Sequence, residues 1–221
     1  MEFPERFSNL PDYAFPRLRA LLDHHPAGGD VVHMTIGEPK HAFPAWVSEI
    51  LSDAVGGLNS YPANDGTAEL RTAIAEWVKR RFAVGIDADT QVLALNGTRE
   101  GLYNAAMALL PEFKNGQTPV FLIPNPFYQV YMIAAISVGA DQVFVPADDG
   151  NGFLPDYASL SAETLNRTVA AYICSPSNPQ GAIASRAYLE TLIGLAEKYD
   201  FRIFADECYS EIYRSESYKG S

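Results

Sequence analysis

Asp206 is the residue whose position most restricts the chemistry open to this sequence. It closes an apolar run at residues 202–205, and Tyr209 follows it three positions later. A carboxylate at the end of a buried strand is costly unless it meets a cation or hydrogen-bond donors. A protonated pyridine nitrogen is such a cation, and the carboxylate would keep that ring able to accept electrons. A Walker B strand is an alternative, but the sequence lacks the Gly-Lys-Ser or Gly-Lys-Thr loop that accompanies it.

A second candidate is the segment Asn-Gly-Thr-Arg-Glu at residues 96–100. It follows an apolar run at residues 92–95 and directly precedes a helical pattern. A glycine turn that leads into a helix points free N–H groups and the positive end of the helix dipole at one place, which suits a phosphate. The same residues also make an ordinary turn and helix cap, so the segment alone leaves both interpretations open.

Two further segments follow predicted strands. Residues 124–131 (PNPFYQVY) come after the run at 120–123, and their aromatic rings could stack on a planar heterocycle or belong to the core. Residues 175–181 (SPSNPQG) come after the run at 169–174. Asn178 lies there between two prolines, so it could donate a hydrogen bond from a rigid backbone or form a plain turn.

Alternating strands and helices must position these segments. The predicted strands are residues 31–36, 92–95, 120–123, 142–145, 169–174 and 202–205, and the predicted helices are residues 15–22, 45–56, 67–82, 99–110, 127–138 and 186–199. This alternation predicts an α/β fold, a three-layer αβα sandwich around a mostly parallel sheet. Ligands of such sheets bind at the carboxyl ends of the strands, where the four segments lie.

Composition and charge exclude several classes of protein. Hydrophobic residues make up 48% of the chain and charged residues 19%, which indicates a packed core rather than disorder. A net charge of −11 argues against nucleic-acid and anionic membrane partners. We expect no signal peptide, membrane span or metal site, because the histidines lack ligand spacing and residues 148–153 would put alanines at two calcium-ligand positions. Two cysteines without metal-type spacing favour a reducing, cytoplasmic setting.

The segments, taken in order, resemble the class I/II aminotransferases, enzymes of fold type I that depend on pyridoxal 5'-phosphate (PLP). The matching segments are residues 36–39 (IGEP), 61–71 (YPANDGTAELR), 96–100, 124–128, 175–181 and 205–209. The resemblance covers nearly the whole chain. It implies that an amino group moves from an amino acid, glutamate in the first instance, to a 2-oxoacid. It also implies that residues 1–44 are an N-terminal arm with part of a small domain, and residues 45–221 the first part of a large PLP-binding domain.

The resemblance also implies individual roles at the cofactor. The cofactor-binding positions are Gly97, Thr98, Arg99, Tyr128, Asn178, Asp206 and Tyr209. The backbone amides of the first three would cradle the phosphate, and Tyr128 would stack on the pyridine ring. Asp206 would pair with the ring nitrogen, while Asn178 and Tyr209 would hydrogen-bond the phenolic oxygen of the ring.

Three more positions take roles outside this set. Ile36 and Gly37 would line the substrate side of the site. Tyr61 would reach the phosphate held by a neighbouring subunit, which implies a homodimer with shared active sites. The alternative for Tyr61 is a plain aromatic residue at the entry to a helix.

The sequence departs from the family pattern at the catalytic lysine. That lysine bonds to the cofactor and lies tens of residues beyond the Asp-x-x-Tyr motif, within a Ser/Thr-x-x-Lys pattern. Lys219 comes too early and stands in Tyr-Lys-Gly-Ser instead. The arginines that bind the phosphate and the substrate carboxylate are missing as well. We therefore predict a chain that is truncated before the Schiff-base lysine, has no catalytic residue of its own and is inactive as a fragment.

The resemblance leaves the exact reaction open. Three stretches, FPRLRALL, NGTREGLY and PNPFYQVY, resemble the N-succinyldiaminopimelate aminotransferases of lysine biosynthesis. A PLP-dependent lyase of the same fold, such as a carbon–sulfur lyase, is the first alternative. A non-catalytic PLP-binding module is the second, although residues 1–44 show no helix-turn-helix pattern. A pseudoenzyme that ends at Ser221 is the third, and it would expose an apolar sheet edge.

Overall fold

The computed structural model describes residues 5–34, 36–37 and 41–213, so the predictions for Glu38, Pro39 and Lys219 lie outside the described residues. The helices are α1 (Ala14–Leu22), α2 (Trp46–Ala54), α3 (Ala68–Phe82), α4 (Thr98–Leu109), α5 (Gln129–Ser137), α6 (Ala162–Arg167) and α7 (Arg186–Tyr199). The strands are β1 (Val120–Asn125), β2 (Asp141–Pro146), β3 (Thr168–Cys174) and β4 (Arg202–Asp206). Short 3-10 helices cover Glu5–Phe7, Val55–Asn59, Asp149–Asn151 and Tyr157–Ser159.

The described residues fall into two compact units. Residues 5–8 and 64–213 form the larger unit, and residues 9–63 form the smaller one, which contains α1 and α2. No described residue of the smaller unit is fully buried. The boundary predicted after residue 44 stays a prediction.

The sheet of the larger unit is parallel throughout. Its strand order is β2-β1-β3-β4, and each neighbouring pair runs in the same direction. Every residue of β3 is buried, as the continuous apolar run of a strand covered on both faces requires. This arrangement confirms the predicted α/β fold with a mostly parallel sheet.

Alternate residues of β1 pack against opposite faces of the sheet. Phe121 and Ile123 join a cluster of buried residues with α4 and α5. Val120 and Leu122 join a second cluster with α6 and α7. Helices therefore cover both faces, and the sandwich has the three predicted layers.

Two of the predicted strands are wrong. Residues 92–95 form no strand, and Leu93 and Leu95 are 64% and 53% exposed. Residues 31–34 are also irregular, with Val32 76% exposed. A segment with high β-propensity forms a strand only when a neighbouring segment supplies hydrogen bonds. Neither of these two segments pairs with another in the described part of the chain.

The predicted helices are confirmed with shifted ends, and one helix was missed. The helix predicted at residues 45–56 ends at Ala54 and continues as a 3-10 turn. Helix α5 begins two residues later than predicted because Tyr128 is extended, with φ −77° and ψ 127°. Helix α6 is only six residues long, too short for a clear hydrophobic period.

The acidic segment at residues 148–153 forms a capped turn. The Asp148 side chain accepts a hydrogen bond from the Gly150 amide, and the Asn151 side chain accepts one from the Asp148 amide. In the described ranges, no cluster of three or more His, Cys, Asp or Glu residues could hold a metal. No helix among the same residues is long and apolar enough to cross a membrane.

Lys114 links the start of β3 to the end of α7. Its Nζ donates to the carbonyl oxygens of Thr168 and Tyr199, both at 2.5 Å, and of Asp200 at 2.8 Å. Burial lowers the pKa of the Lys114 ammonium group, because the low-dielectric surroundings disfavour its charge. Hydrogen bonds of this kind satisfy carbonyls that a helix end leaves without partners.

We expect Lys114→Met to destabilise the protein by about 1–3 kcal/mol, because it removes the donor to the part-buried carbonyls of Thr168 and Tyr199. The Tm measured by thermal unfolding should fall by about 2–4 °C for each kcal/mol. Lys79→Met, on the exposed side of α3, is the matched control and should leave the Tm nearly unchanged. Equal effects of the two substitutions would contradict the assigned role of Lys114.

Candidate functional site

The carboxyl ends of β1, β3 and β4 meet the N-terminus of α4 at one edge of the sheet. Thr98 at the start of α4 lies 3.5 Å from Cys208 beyond β4, between Oγ1 and Sγ. Arg99 Nε donates to the Tyr128 hydroxyl beyond β1, at 2.8 Å. The Ser175 amide donates to the carbonyl of Asp206 at 3.1 Å, which ties the end of β3 to that of β4. The four segments chosen from the sequence therefore converge.

Asp206 is buried at this edge, with 7% of its surface exposed. Its Oδ2 accepts a hydrogen bond from the Tyr131 hydroxyl at 2.6 Å, and its Oδ1 accepts one from the Cys208 amide at 3.3 Å. Both donors are neutral. Among the ion pairs of the described residues, none includes Asp206. A buried carboxylate with neutral donors alone is a site that a cationic ligand would complete.

The N-terminus of α4 has the features of an anion site. Gly97 is the N-cap, with φ 146° and ψ 148°, and no side chain caps the helix there. Because Gly97 has no side chain, the N-cap position offers no side-chain acceptor to the amides that begin α4. The positive end of the helix dipole adds to their attraction for a phosphate.

Tyr128 lies between these two features. Its ring meets the Tyr131 ring edge-on, with the centroids 5.8 Å apart, and Arg99 holds its hydroxyl. Tyr128 and Asn178 line the same small cavity, together with Cys174. The ring of Tyr128 is therefore fixed at both ends, as a stacking platform requires.

Tyr209 and Cys174 lie close to the buried carboxylate. Burial raises the pKa of the Tyr209 hydroxyl, and nearby Cys174, Cys208 and Asp206 add to the effect. Burial also raises the pKa of the Cys174 thiol to about 11, with a contribution from Asp206. Both groups are thus neutral donors at physiological pH.

Three predicted site residues lie in the smaller unit and are exposed. Tyr61 is fully exposed, Ile36 is 57% exposed, and Gly37 is exposed as well. Their assigned roles toward the substrate and the neighbouring subunit stay predictions.

Sequence reasoning missed the part that Tyr131 takes. The sequence left it among the aromatic residues at positions 124–131, which could stack on a planar heterocycle or belong to the core. The available signal was its spacing, because it lies three positions after Tyr128 in a run that the sequence predicts as helical. Nothing in the sequence pairs it with Asp206, which is 75 positions away.

A family model described as "Aminotransferase class I and II" matches residues 29–219. The chain belongs to this family. The LL-diaminopimelate aminotransferase of Desulforudis audaxviator is 36% identical to this chain over 217 residues, which cover 96% of the chain and 54% of that protein. The enzyme of the same name from Aquifex aeolicus is 33% identical over 215 residues, with 96% and 54% covered.

Solved aminotransferase structures share the fold. An aminotransferase from Neisseria meningitidis superposes with a TM-score of 0.87 at 36% identity, over 96% of this chain and 54% of that one. An aminotransferase from Helicobacter pylori gives 0.84 at 34% identity, over 93% and 53%. The chain spans about half the length of the relatives it matches. The resemblance inferred from the motifs is confirmed.

Proposed function

We propose that the complete protein carrying this chain is a PLP-dependent aminotransferase. The observation that carries the proposal is that a site suited to a cation and a site suited to an anion lie at the same edge of the sheet. Asp206 is a buried carboxylate with only neutral partners, and α4 begins at an uncapped glycine beside it. PLP carries a basic ring nitrogen at one end and a phosphate at the other, so its two ends match the two sites.

Each residue of the edge has a task toward this cofactor. The amides of Gly97, Thr98 and Arg99 bind the phosphate. Tyr128 stacks on the ring, and Asp206 keeps a proton on the ring nitrogen. When bound, PLP supplies an electron-accepting ring that stabilises negative charge at the substrate α-carbon.

The remaining positions complete the proposed site. Asn178 and Tyr209 orient the phenolic oxygen of the ring through hydrogen bonds. Ile36 and Gly37 line the substrate side, and Tyr61 reaches the phosphate in the neighbouring subunit of a homodimer. We assign the enzyme to the cytoplasm, since both cysteines are free, which suits a reducing compartment.

The substrate is proposed to be an amino acid of the diaminopimelate type, with a 2-oxoacid as the second substrate. The names of the relatives, LL-diaminopimelate aminotransferase, support this class. The motif resemblance favours the N-succinylated form. The exchange is reversible. In one direction glutamate donates its amino group to the 2-oxoacid partner and leaves as 2-oxoglutarate. In the other direction the diaminopimelate-type amino acid donates to 2-oxoglutarate and leaves as a 2-oxoacid.

Borohydride reduction tests the cofactor chemistry of the complete protein from its native source. We expect one lysine, located beyond residue 221, to carry a pyridoxyl group after incubation with PLP and reduction, as mapped by mass spectrometry. Reduction without added PLP after removal of bound cofactor is the control. Absence of any modified lysine would contradict the proposal.

Substrate assays then decide between free and N-succinylated diaminopimelate as the substrate. Glutamate formation from 2-oxoglutarate is measured with LL-diaminopimelate and with N-succinyldiaminopimelate, and we expect one of them to support turnover. Release of ammonia and sulfide from cysteine, with no glutamate formed from either diaminopimelate compound, would indicate the lyase instead.

A further inference from the structure

We propose that Tyr131 is a positioning residue that holds the Asp206 carboxylate in the orientation needed to pair with the ring nitrogen of PLP. The inference rests on the proposed function and assigns a role to a residue outside the set named from the sequence. Tyr131 acts through Asp206, and no contact between Tyr131 and the cofactor is required.

The contact between the two side chains is short and enclosed. The Tyr131 hydroxyl donates to Asp206 Oδ2 at 2.6 Å, and the two residues are 1% and 7% exposed. Burial, followed by the hydrogen bond to Asp206, raises the pKa of Tyr131 well above its ordinary value. The hydroxyl therefore keeps its proton and remains a donor to the carboxylate over the whole physiological pH range.

Neighbouring rings fix the direction in which Tyr131 points. Its ring stacks on Tyr172, with the centroids 4.4 Å apart and an interplanar angle of 12°. A second ring, that of Tyr128, meets it edge-on with the centroids 5.8 Å apart. The Tyr172 hydroxyl donates to the carbonyl of Leu102 in α4, at 3.0 Å, so the stacked ring of Tyr172, and not its hydroxyl, supports Tyr131. A hydroxyl held in this way restrains the carboxylate that it contacts.

The other fully buried tyrosines of the same cores show what a purely structural hydroxyl does. Tyr172 donates to the backbone carbonyl of Leu102, and Tyr157 donates to the backbone carbonyl of Tyr172 at 2.5 Å. Both hydroxyls satisfy backbone groups. Tyr131 instead donates to a carboxylate that has no cationic partner among the described residues. This difference in partner separates a positioning role from simple packing.

The test compares Tyr131→Phe with Tyr172→Phe in the complete protein. Each substitution removes one buried, hydrogen-bonded hydroxyl and keeps the ring, but only the first hydroxyl reaches Asp206. PLP affinity is measured by titration of the cofactor-free protein. Ring protonation is measured by nitrogen-15 NMR of PLP labelled at the ring nitrogen. Thermal unfolding measures the loss of stability in both variants.

We expect Tyr131→Phe to weaken PLP binding roughly tenfold to hundredfold, as for loss of a hydrogen bond to a charged group. The nitrogen signal should move toward that of an unprotonated ring. Tyr172→Phe should lower the Tm to a similar extent and leave the nitrogen signal in place. Addition of Tyr131→Phe to an Asp206→Asn protein should cause little further loss, because both changes interrupt the same contact.

The possible failures are distinguishable. Wild-type protein that binds no PLP would overturn the proposed function and this inference together. Wild-type protein that binds PLP, with an unchanged nitrogen signal in Tyr131→Phe, would overturn the inference alone. Full additivity of Tyr131→Phe and Asp206→Asn would also overturn it.

Discussion

Asp206→Asn is expected to lower kcat/KM of the complete protein by about a hundredfold to several thousandfold. The substitution keeps the size of the side chain and removes its charge, so the proton on the ring nitrogen loses its counter-ion. Breaking a buried charge pair costs about 3–5 kcal/mol, and each 1.36 kcal/mol of transition-state stabilisation corresponds to a tenfold change in rate. Initial rates of glutamate formation, measured with saturating PLP, give this ratio.

The control for this prediction is Asp200→Asn. Asp200 is exposed and follows α7 in a left-handed conformation, with φ 51°, which asparagine also adopts readily. We expect this variant to retain wild-type rates. Because the proposed phosphate site lies on α4, Asp206→Asn should reduce kcat more than it reduces PLP affinity. Wild-type kcat in the Asp206→Asn protein would contradict the role of the carboxylate.

The two central strands of the sheet were predictable from the sequence because they are buried on both faces. The run at residues 169–174 is apolar throughout, and this pattern can be recognised without knowing which segments pair with it. Residues 92–95 have the same local character and form no strand. What separates the two runs is the presence of a hydrogen-bonded neighbour, which is a property of the folded chain and not of a short window of sequence.

The site was predictable in its parts, and its connections were not. A parallel sheet brings the ends of its strands to one edge, so Asp206 and Tyr128 could be placed near each other in advance. The Tyr131–Asp206 hydrogen bond and the Arg99–Tyr128 hydrogen bond depend on side-chain directions that helix and strand patterns leave undetermined. Such contacts decide whether a carboxylate is oriented for a ligand.

Gly97→Ala is expected to weaken PLP binding about tenfold to a hundredfold. At φ 146° and ψ 148°, Gly97 occupies a region that residues with a Cβ avoid at a cost of about 1–3 kcal/mol. An added Cβ would also lie 2.8 Å from Glu100 Oε2, although that side chain can move. To relieve the backbone strain, the turn must rotate, and the amides that begin α4 then leave the phosphate. Each 1.4 kcal/mol lost corresponds to a tenfold change in Kd, which titration with PLP measures.

A comparison of PLP with pyridoxal shows whether Gly97→Ala weakens binding through the phosphate group. Pyridoxal has the same ring and no phosphate, so Gly97→Ala should weaken PLP binding while leaving pyridoxal binding nearly unchanged. Gly194→Ala in α7, where an added Cβ meets nothing within 4 Å, is the matched control and should leave both affinities unchanged. Equal loss of affinity for PLP and pyridoxal would mean that Gly97 supports the whole edge of the sheet. In that case the phosphate would have to be bound elsewhere, because a site formed by the α4 amides must distinguish the two ligands.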